Sequence, residues 1–188
     1  MTDDDRVRCS WAEPGGAFAS LYRDYHDNEW GRPLHGRDAL FERIALEAFQ
    51  SGLSWLTILR KRENFRQAFH GFDVEKITRY TERDVARLMA DTGIVRNRAK
   101  IDATIANARA VLELDVDLDD LLWSFAPPSR PRPATIADVP AVTEESTAMA
   151  KELKRRGFRF IGPTTAYALM QATGMVDDHV QSCWVPAL

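Results

Sequence analysis

Apolar residues recur at helical spacing along almost the whole chain, and this periodicity restricts the possible fold more than any other feature of the sequence. In the segment 38–52 they return every three or four positions, and the glycine at its end can stop the helix. Ser54 and Asn97 can cap two further helices, and Thr81 with Asp84 forms a capping-box pattern. The sequence therefore predicts an all-α fold.

Two helices are also predicted near the C-terminus, over residues 143–157 and 163–174, the second with proline at its first position. The segment between them, 158–161, is apolar but too short for a helix, and it suits a hairpin rather than a sheet. Gly157 and Gly162 flank this segment and permit a tight turn. The pattern is that of a helix-hairpin-helix element.

The hairpin is a candidate for binding a nucleic-acid backbone. The net charge of the chain is −3, but basic residues cluster in 151–159, and local patches rather than net charge decide phosphate binding. Arg159, Gly162, Thr164 and Thr165 would supply the contacts, together with the free N–H groups at a helix N-terminus. The alternative is an ordinary helical hairpin that packs on the core and leaves its basic residues in solvent.

Both cysteines of the chain belong to a candidate metal site. His179 and Cys183 are one helical turn apart, and Cys9 and His26 lie near the other end of the chain. A Cys2His2 set suits tetrahedral Zn²⁺ and leaves no open position for water. The ion would therefore be structural and would join the N-terminal segment to the C-terminal one.

Other interpretations of these residues stay open on spacing alone: a buried free cysteine, a surface histidine, or a disulfide between Cys9 and Cys183 in an oxidising compartment. Asp27 or Asp178 can hold a ligating histidine by a hydrogen bond. Two cysteines and no signal peptide favour a reducing, cytoplasmic location. No apolar run is long enough to span a bilayer.

Aromatic residues are concentrated in the N-terminal third of the chain. They include Trp11, Tyr22, Tyr25, Trp30 and Trp55. Tryptophan and tyrosine are suitable walls for a pocket that holds an extrahelical purine, since stacking on a base contributes about 1–3 kcal/mol. Each of these residues can equally be part of the core.

Glu47 is unusual because its neighbours in the sequence are apolar. It stands in the segment Leu46-Glu47-Ala48-Phe49. A buried carboxylate is costly unless it is paired or functional, which makes Glu47 a candidate site residue. Helical geometry does not force it inward, so a solvent-facing Glu47 is the alternative.

At these residues the chain resembles the DNA-3-methyladenine glycosylase I family. The resemblance runs from about Cys9 to Cys183, with its motifs in order. The motifs are YHDNEWG (25–31), LE (46–47), GLSW (52–55), KREN (61–64), GIVR (93–96), WSF (123–125), RGF (156–158) and DHV (178–180).

The resemblance implies a fold of the helix-hairpin-helix DNA glycosylase superfamily, a helical bundle in which a structural zinc joins the two ends of the chain. The implied ligands are Cys9, His26, His179 and Cys183. We expect residues 9–188 to form a single domain of two lobes that share a cleft. Residues 1–8 are expected to be loosely ordered.

The implied activity is base-excision repair, in which the N-glycosidic bond of 3-methyladenine in alkylated double-stranded DNA is hydrolysed, free base is released and an abasic site remains. The resemblance implies that Glu47 hydrogen-bonds the excised base and that Tyr25 and Trp55 stack on it. Further pocket lining is implied for Trp11, Tyr22 and Trp30. A monomer is expected, with no membrane partner.

Three residues refine this expectation. Thr165 stands where related bifunctional enzymes would carry a lysine nucleophile, and a threonine cannot form a Schiff base, so we predict no strand cleavage. Leu53, between two predicted helices, is a candidate wedge for the gap in the duplex, with a core leucine as the alternative. Asp177 replaces the family's usual asparagine. It either assists catalysis or caps the segment that leads to His179.

Two rival functions remain at the level of sequence. One is a zinc-stabilised DNA-binding module without catalysis, and the other is a helical hydrolase of free nucleosides. Release of methylated base from alkylated duplex DNA separates them, because a pure binder releases none and a nucleoside hydrolase needs no duplex.

Overall fold

A computed structural model of the chain describes residues 5–187. Within this part the regular structure consists of α-helices and three short 3-10 turns, without a β-strand, so the predicted all-α fold is confirmed. The helices are α1 (Ala19–Asn28), α2 (Arg37–Gln50), α3 (Trp55–Ala68), α4 (Val74–Thr78), α5 (Glu82–Ala90), α6 (Arg98–Leu112), α7 (Leu118–Trp123), α8 (Glu144–Arg155) and α9 (Pro163–Ala172).

Most helices begin where their capping residues predict. The Ser54 side chain accepts a hydrogen bond from the backbone N–H of Thr57 at the start of α3, and Asn97 accepts one from Lys100 at the start of α6. Thr81 and the third helical residue of α5 form the predicted capping box. Each bond satisfies a backbone donor that the helix itself leaves free.

Helix α2 is the centre of the fold. Of its 14 residues, nine are buried, and it contacts α3, α6, α7 and α9. Because the helix is contacted on several sides, two of its charged residues enter the interior. Arg43 and Glu47 are only 7% and 4% exposed, which excludes the solvent-facing alternative for Glu47.

A buried lysine closes the end of α2. The Lys100 ammonium donates to the backbone carbonyls of Phe49 at 2.8 Å and Ser51 at 2.6 Å. These carbonyls have no partner within the helix, and a cation also suits the negative end of its dipole. Lys100 therefore holds the turn between α2 and α3, on which Leu53 is 39% exposed. The alternative of a core leucine is thus wrong.

Helices α8 and α9 are joined by residues 156–162, which include the segment predicted to form a hairpin. The side chain of Asn107 on α6 accepts from the backbone N–H of Arg159 at 2.7 Å and donates to its carbonyl at 3.1 Å. Phe160 at the tip has a φ of +60°, in the left-handed region that side chains other than glycine rarely occupy. The contact from α6 helps to hold this strained turn in one shape.

The end of α9 packs closely on the loop that follows α1. Gly174 has a φ of +73°, and a Cβ there would lie 2.6 Å from the backbone carbon of Arg32, so only glycine fits. The backbone N–H groups of Gly31 and Leu34 donate to the carbonyls of Gln171 and Thr173, each at 3.1 Å. These contacts place the loop that follows α1 beside the segment that leads to His179.

The first residues of the chain lie partly outside the described part. Of the segment expected to be loosely ordered, 1–8, residues 1–4 are not described; Arg8 is buried at 9% exposure and its guanidinium bonds Asp27. None of the helices within residues 5–187 has the length and apolar character needed to cross a membrane.

Candidate active site and metal centre

The four predicted metal ligands form one buried cluster. The ligand atoms of Cys9, His26, His179 and Cys183 all lie within 4.8 Å of one another. Cys183 Sγ is 3.5 Å from both His26 Nε2 and His179 Nδ1, and Cys9 Sγ is 3.7 Å from His179 Nδ1. The predicted proximity of the two distant pairs is confirmed. The two cysteines are free, so they do not form a disulfide.

This spacing fits a tetrahedral ion. Zinc bonds of about 2.3 Å to sulfur and 2.0 Å to nitrogen give sulfur-to-nitrogen edges of about 3.5 Å. Burial lowers the pKa of His179 to about 4, with His26 a further cause, and burial lowers that of His26 as well. Both imidazoles are therefore neutral at pH 7, as ligands must be. The cluster can hold a metal ion.

Each histidine is oriented by a bond from its other ring nitrogen. His26 Nδ1 lies 2.8 Å from Asp27 Oδ1, and His179 Nε2 lies 3.2 Å from the Trp30 carbonyl oxygen. Of the two aspartates considered from sequence, Asp27 has this role and Asp178 does not. Such partners set the tautomer and direction of a ligating imidazole.

Asp27 is itself held on several sides. The Arg8 guanidinium donates to it at 2.7 to 3.0 Å, and the Trp184 indole N–H donates at 3.2 Å. Burial opposes ionisation, but the hydrogen bonds from Arg8, His26 and Trp184 prevail and lower the pKa of Asp27 to about 2. The carboxylate is therefore charged at all physiological pH values.

A cavity of about 280 Å³ lies beside this cluster. All six residues predicted to contact a base lie in its wall: one acid and five aromatic residues. The complete lining is Trp11, Tyr22, Tyr25, Trp30, Glu47, Gln50, Trp55, Ala168 and Gln171. The sequence arguments missed Gln50, Ala168 and Gln171, because a glutamine or alanine in a helix carries no signal of a site.

Glu47 carries the only acidic side chain in this lining. Burial raises the pKa of its carboxyl to about 7, although the positive charge of Arg43 opposes the rise. Within residues 5–187, none of the side-chain hydrogen bonds reaches this carboxyl, and it is not among the fully enclosed polar atoms that lack a partner. Its oxygens therefore meet the cavity.

The aromatic walls are also held in place. The Tyr25 and Trp55 rings lie 5.3 Å apart at an interplanar angle of 43°, and Arg43 donates to the Tyr25 hydroxyl at 3.1 Å. Glu29 bridges Arg43, at 3.8 Å, to Arg62, which it binds at 2.6 Å. Among the described residues, the Trp55 indole N–H is the buried side-chain polar group without a partner.

The cavity and the metal cluster share a wall. The Trp30 ring packs edge-on against His179 at 4.7 Å, and Trp11 packs edge-on against His26 at 5.2 Å. Gly31, with a φ of +74°, leaves room for His179, because a Cβ there would lie 3.0 Å from its Nε2. The cluster that joins the chain ends thus also supports two aromatic walls.

A second cavity, of about 720 Å³, lies at the hairpin. Its lining includes Lys151, Lys154, Arg159, Gly162 and Thr165, along with Ser51. Thr164 is exposed at the start of α9 but is not part of this lining. Since Gln50 lines the first cavity and Ser51 the second, the two open near one another at the end of α2.

Asp177 does not line either of these cavities. Its carboxylate accepts from Arg132 Nε at 2.8 Å and from the backbone N–H of His179 at 3.3 Å. Both oxygens are engaged, and the second bond caps the segment that carries the ligand His179. The geometry supports the capping role.

Comparison with known proteins finds matches along almost the whole chain. Residues 12–186 match the model of the methyladenine glycosylase family. The chain is 46% identical to DNA-3-methyladenine glycosylase 1 of Escherichia coli and 45% identical to DNA-3-methyladenine glycosylase of Haemophilus influenzae; the alignments cover 94% of this chain and 95% and 96% of those proteins. The solved 3-methyladenine DNA glycosylase I of Staphylococcus aureus superposes with a TM-score of 0.89 at 34% identity, covering 96% of this chain and 97% of that one.

Proposed function

The chain belongs to the methyladenine glycosylase family, and we propose that it excises 3-methyladenine from alkylated DNA in base-excision repair. The reaction hydrolyses the N-glycosidic bond, releases the free base and leaves an abasic site. The observation that carries the proposal is a buried, unpaired carboxyl among aromatic walls, in a cavity next to a basic hairpin.

The cavity suits a positively charged purine. Adenine alkylated at N3 is a cation, and a cation gains more from aromatic faces than a neutral base does. Burial raises the pKa of Glu47 to about 7, so the carboxyl is partly protonated at neutral pH when no base is bound. A cationic base beside it favours the ionised form, which then accepts a charge-assisted hydrogen bond from the amino edge of the base. Glu47 thereby selects and positions the lesion.

Little acid catalysis is needed, because the departing base leaves neutral and its glycosidic bond is already weak. The protein must extrude the nucleotide, at a cost of a few kcal/mol, and hold it beside water. Tyr25 and Trp55 stack on the base, with Trp11, Tyr22 and Trp30 as further walls. Any role of Glu47 as a base toward water is secondary.

Strand cleavage is not expected. A bifunctional glycosylase needs an amine that forms a Schiff base with the sugar. The cavity lining contains no lysine, and the start of α9 carries Thr164 and Thr165. The product is therefore an intact strand with an abasic site.

Two solved relatives carry substitutions of a tyrosine and of a glutamate. One is a tyrosine-to-phenylalanine variant of 3-methyladenine DNA glycosylase I in complex with 3-methyladenine, and the other is a glutamate-to-glutamine variant of the Staphylococcus aureus protein. The substituted tyrosine and glutamate are 22 positions apart in number. Tyr25 and Glu47 are separated by the same number of positions.

For the metal cluster we propose Zn²⁺ in a structural role. Two thiolates and two neutral imidazoles are a donor set that zinc prefers, and four protein ligands close its coordination sphere. When bound, the ion supplies a link between the chain ends and no Lewis-acid chemistry on the substrate. Its ligands Cys9 and His26 are then joined to His179 and Cys183.

The duplex is proposed to lie across the hairpin. The backbone N–H groups at the start of α9 and the residues Arg159, Gly162, Thr164 and Thr165 would bind phosphate. Leu53, exposed on the neighbouring turn, would fill the gap left by the extruded nucleotide.

The test is chromatographic measurement of free base released from methylated duplex DNA. The wild-type protein should release 3-methyladenine and leave the strand uncut. Glu47→Gln should reduce excision about 100-fold, as when one transition-state hydrogen bond is removed, while duplex binding persists. Glu113→Gln, the same change at an exposed position, is the matched control. Absence of base release from the wild type, or unchanged excision by Glu47→Gln, would refute the proposal.

A further inference from the structure

Gln171 brings a second polar side chain into the wall of the base cavity. It lies on α9, whereas Glu47 lies on α2, and these two helices are in contact. A side-chain amide has a donor end and an acceptor end, so its effect on a ligand depends on which end faces the cavity. The surroundings of Gln171 decide this.

The amide of Gln171 is anchored by a buried carboxylate. Gln171 Nε2 donates to Asp178 Oδ2 at 2.9 Å, and Asp178 is 1% exposed. The Tyr167 hydroxyl donates to the same oxygen at 2.5 Å, and Arg130 donates to Asp178 Oδ1 at 2.8 Å. An ionised carboxylate only accepts hydrogen bonds. It therefore holds the NH₂ end of the amide and excludes the reversed orientation.

The acceptor atom of the amide, Gln171 Oε1, is then free to face the cavity. Among the side-chain hydrogen bonds of residues 5–187, none ends on Gln171 Oε1, and this atom is not among the fully enclosed polar atoms that lack a partner. It keeps accessible surface in a side chain that lines the cavity. Glu47 and Gln171 thus present two acceptors, from two different helices.

We propose that Gln171 determines specificity for adenine over guanine, and that Asp178 is the positioning residue that keeps its Oε1 toward the base. This inference rests on the proposed function. Adenine carries an amino group at position 6, with two N–H donors, whereas guanine carries an oxygen acceptor there. Two fixed acceptors can take one N–H each from an alkylated adenine. Against an alkylated guanine they face another acceptor, which costs binding.

The experiment compares release of 3-methyladenine and 3-methylguanine from the same methylated duplex, as the ratio of the two kcat/KM values. This ratio does not depend on the fraction of folded enzyme, so a loss of stability cannot imitate the effect. Gln171→Met removes both ends of the amide, and the ratio should fall about tenfold, which corresponds to about 1.4 kcal/mol. Gln67→Met, at an exposed position on α3, is the control.

Gln171→Glu sharpens the test, because it keeps an acceptor toward the cavity in either protonation state. It should retain most of the preference for adenine that Gln171→Met loses. An unchanged ratio in Gln171→Met, or an equal loss in both variants, would overturn the role of Gln171. Release of 3-methyladenine by the wild type in the same assay keeps that outcome distinct from failure of the proposed function.

Discussion

The metal centre and the base cavity share a wall, but their buried acids, Asp27 and Glu47, have opposite surroundings. In the metal centre each imidazole is oriented by a partner, and Asp27 accepts bonds from Arg8, His26 and Trp184. In the cavity the Glu47 carboxyl and the Trp55 indole N–H lack protein partners among the described residues. Unpaired buried polar groups cost stability. The difference indicates that the acid of the metal centre is satisfied within the protein, whereas the acid of the cavity is available to a bound ligand.

The largest expected effect comes from removing a metal ligand. His179→Ala removes one of the four ligands of the proposed zinc site, so the free energy of unfolding should fall by on the order of 5 kcal/mol, enough to unfold many domains. Thermal denaturation checks this, with His35→Ala as the control, since the His35 side chain is 61% exposed. Equal melting temperatures for the two variants would mean that the cluster does not hold the fold together.

A pH dependence of stability should come from the cavity. An ordinary glutamate releases its proton near pH 4.5, whereas burial holds the proton on Glu47 to about pH 7. Between these pH values the folded protein binds more protons than the unfolded one. The free energy of unfolding should therefore fall as pH rises across this interval, by on the order of 3 kcal/mol.

The measurement is denaturant unfolding of the wild type and of Glu47→Gln across this pH interval. Relative to the wild type, the variant should become progressively more stable as pH rises from about 4.5 to about 7, and the difference should then level off. The acid would then be kept for function at the expense of stability. Parallel curves for the two proteins would place Glu47 in a solvated or paired environment.

Asp27→Asn should weaken the metal centre without destroying it. Asparagine keeps the size of the side chain but loses the charge that orients His26 and pairs with Arg8. Loss of such a partner lowers metal affinity about 10- to 100-fold. Competition with a chromogenic zinc chelator measures this, and Asp24→Asn, on the exposed side of α1, is the control. Equal affinity in both variants would show that His26 needs no orienting carboxylate.

The smallest effect on stability is expected at the turn between α2 and α3. Leu53 is 39% exposed, so Leu53→Ala should change the free energy of unfolding by no more than about 0.5 kcal/mol. It should nevertheless weaken binding to duplex DNA that contains an abasic-site analogue. Leu112→Ala, at an exposed leucine on α6, is the control. Unchanged affinity for this duplex would remove Leu53 from the interface.

The sequence predicts the helices that combine an end signal with a periodic apolar pattern, and it misses those that lack either one. Ser54 and Asn97 cap helices where expected. Helix α1 was not predicted, because Phe18 precedes it and makes no side-chain cap bond. Helix α4 has a capping residue, since the Asp73 side chain accepts from the backbone N–H of Lys76, but at five residues it is too short for a periodic pattern. Short helices and helices without a cap bond depend on tertiary packing more than on local signals.

The same limit applies to the site. Cys9 and Glu47 could be singled out because cysteine is rare in this chain and an acid among apolar residues is costly. Gln171 and Arg43 carry no comparable signal in the sequence. Their roles depend on which helices pack against the helices that carry them. Asp178 was considered as a partner of a ligating histidine, but it instead holds Tyr167 and Gln171. The direction in which a side chain points is set by the packing of the helices, and the spacing of residues in the sequence does not reveal it.

The most direct test of a cavity that keeps an acid unpaired for its ligand is the pKa of Glu47 itself. Carbon-13 NMR of labelled glutamate carboxyl groups, with Glu47→Gln to assign the signal, measures it in the ligand-free protein. The structure predicts a pKa of about 7. A value near 4.5, that of an ordinary glutamate, would show that Glu47 is already solvated or paired, and would contradict the account.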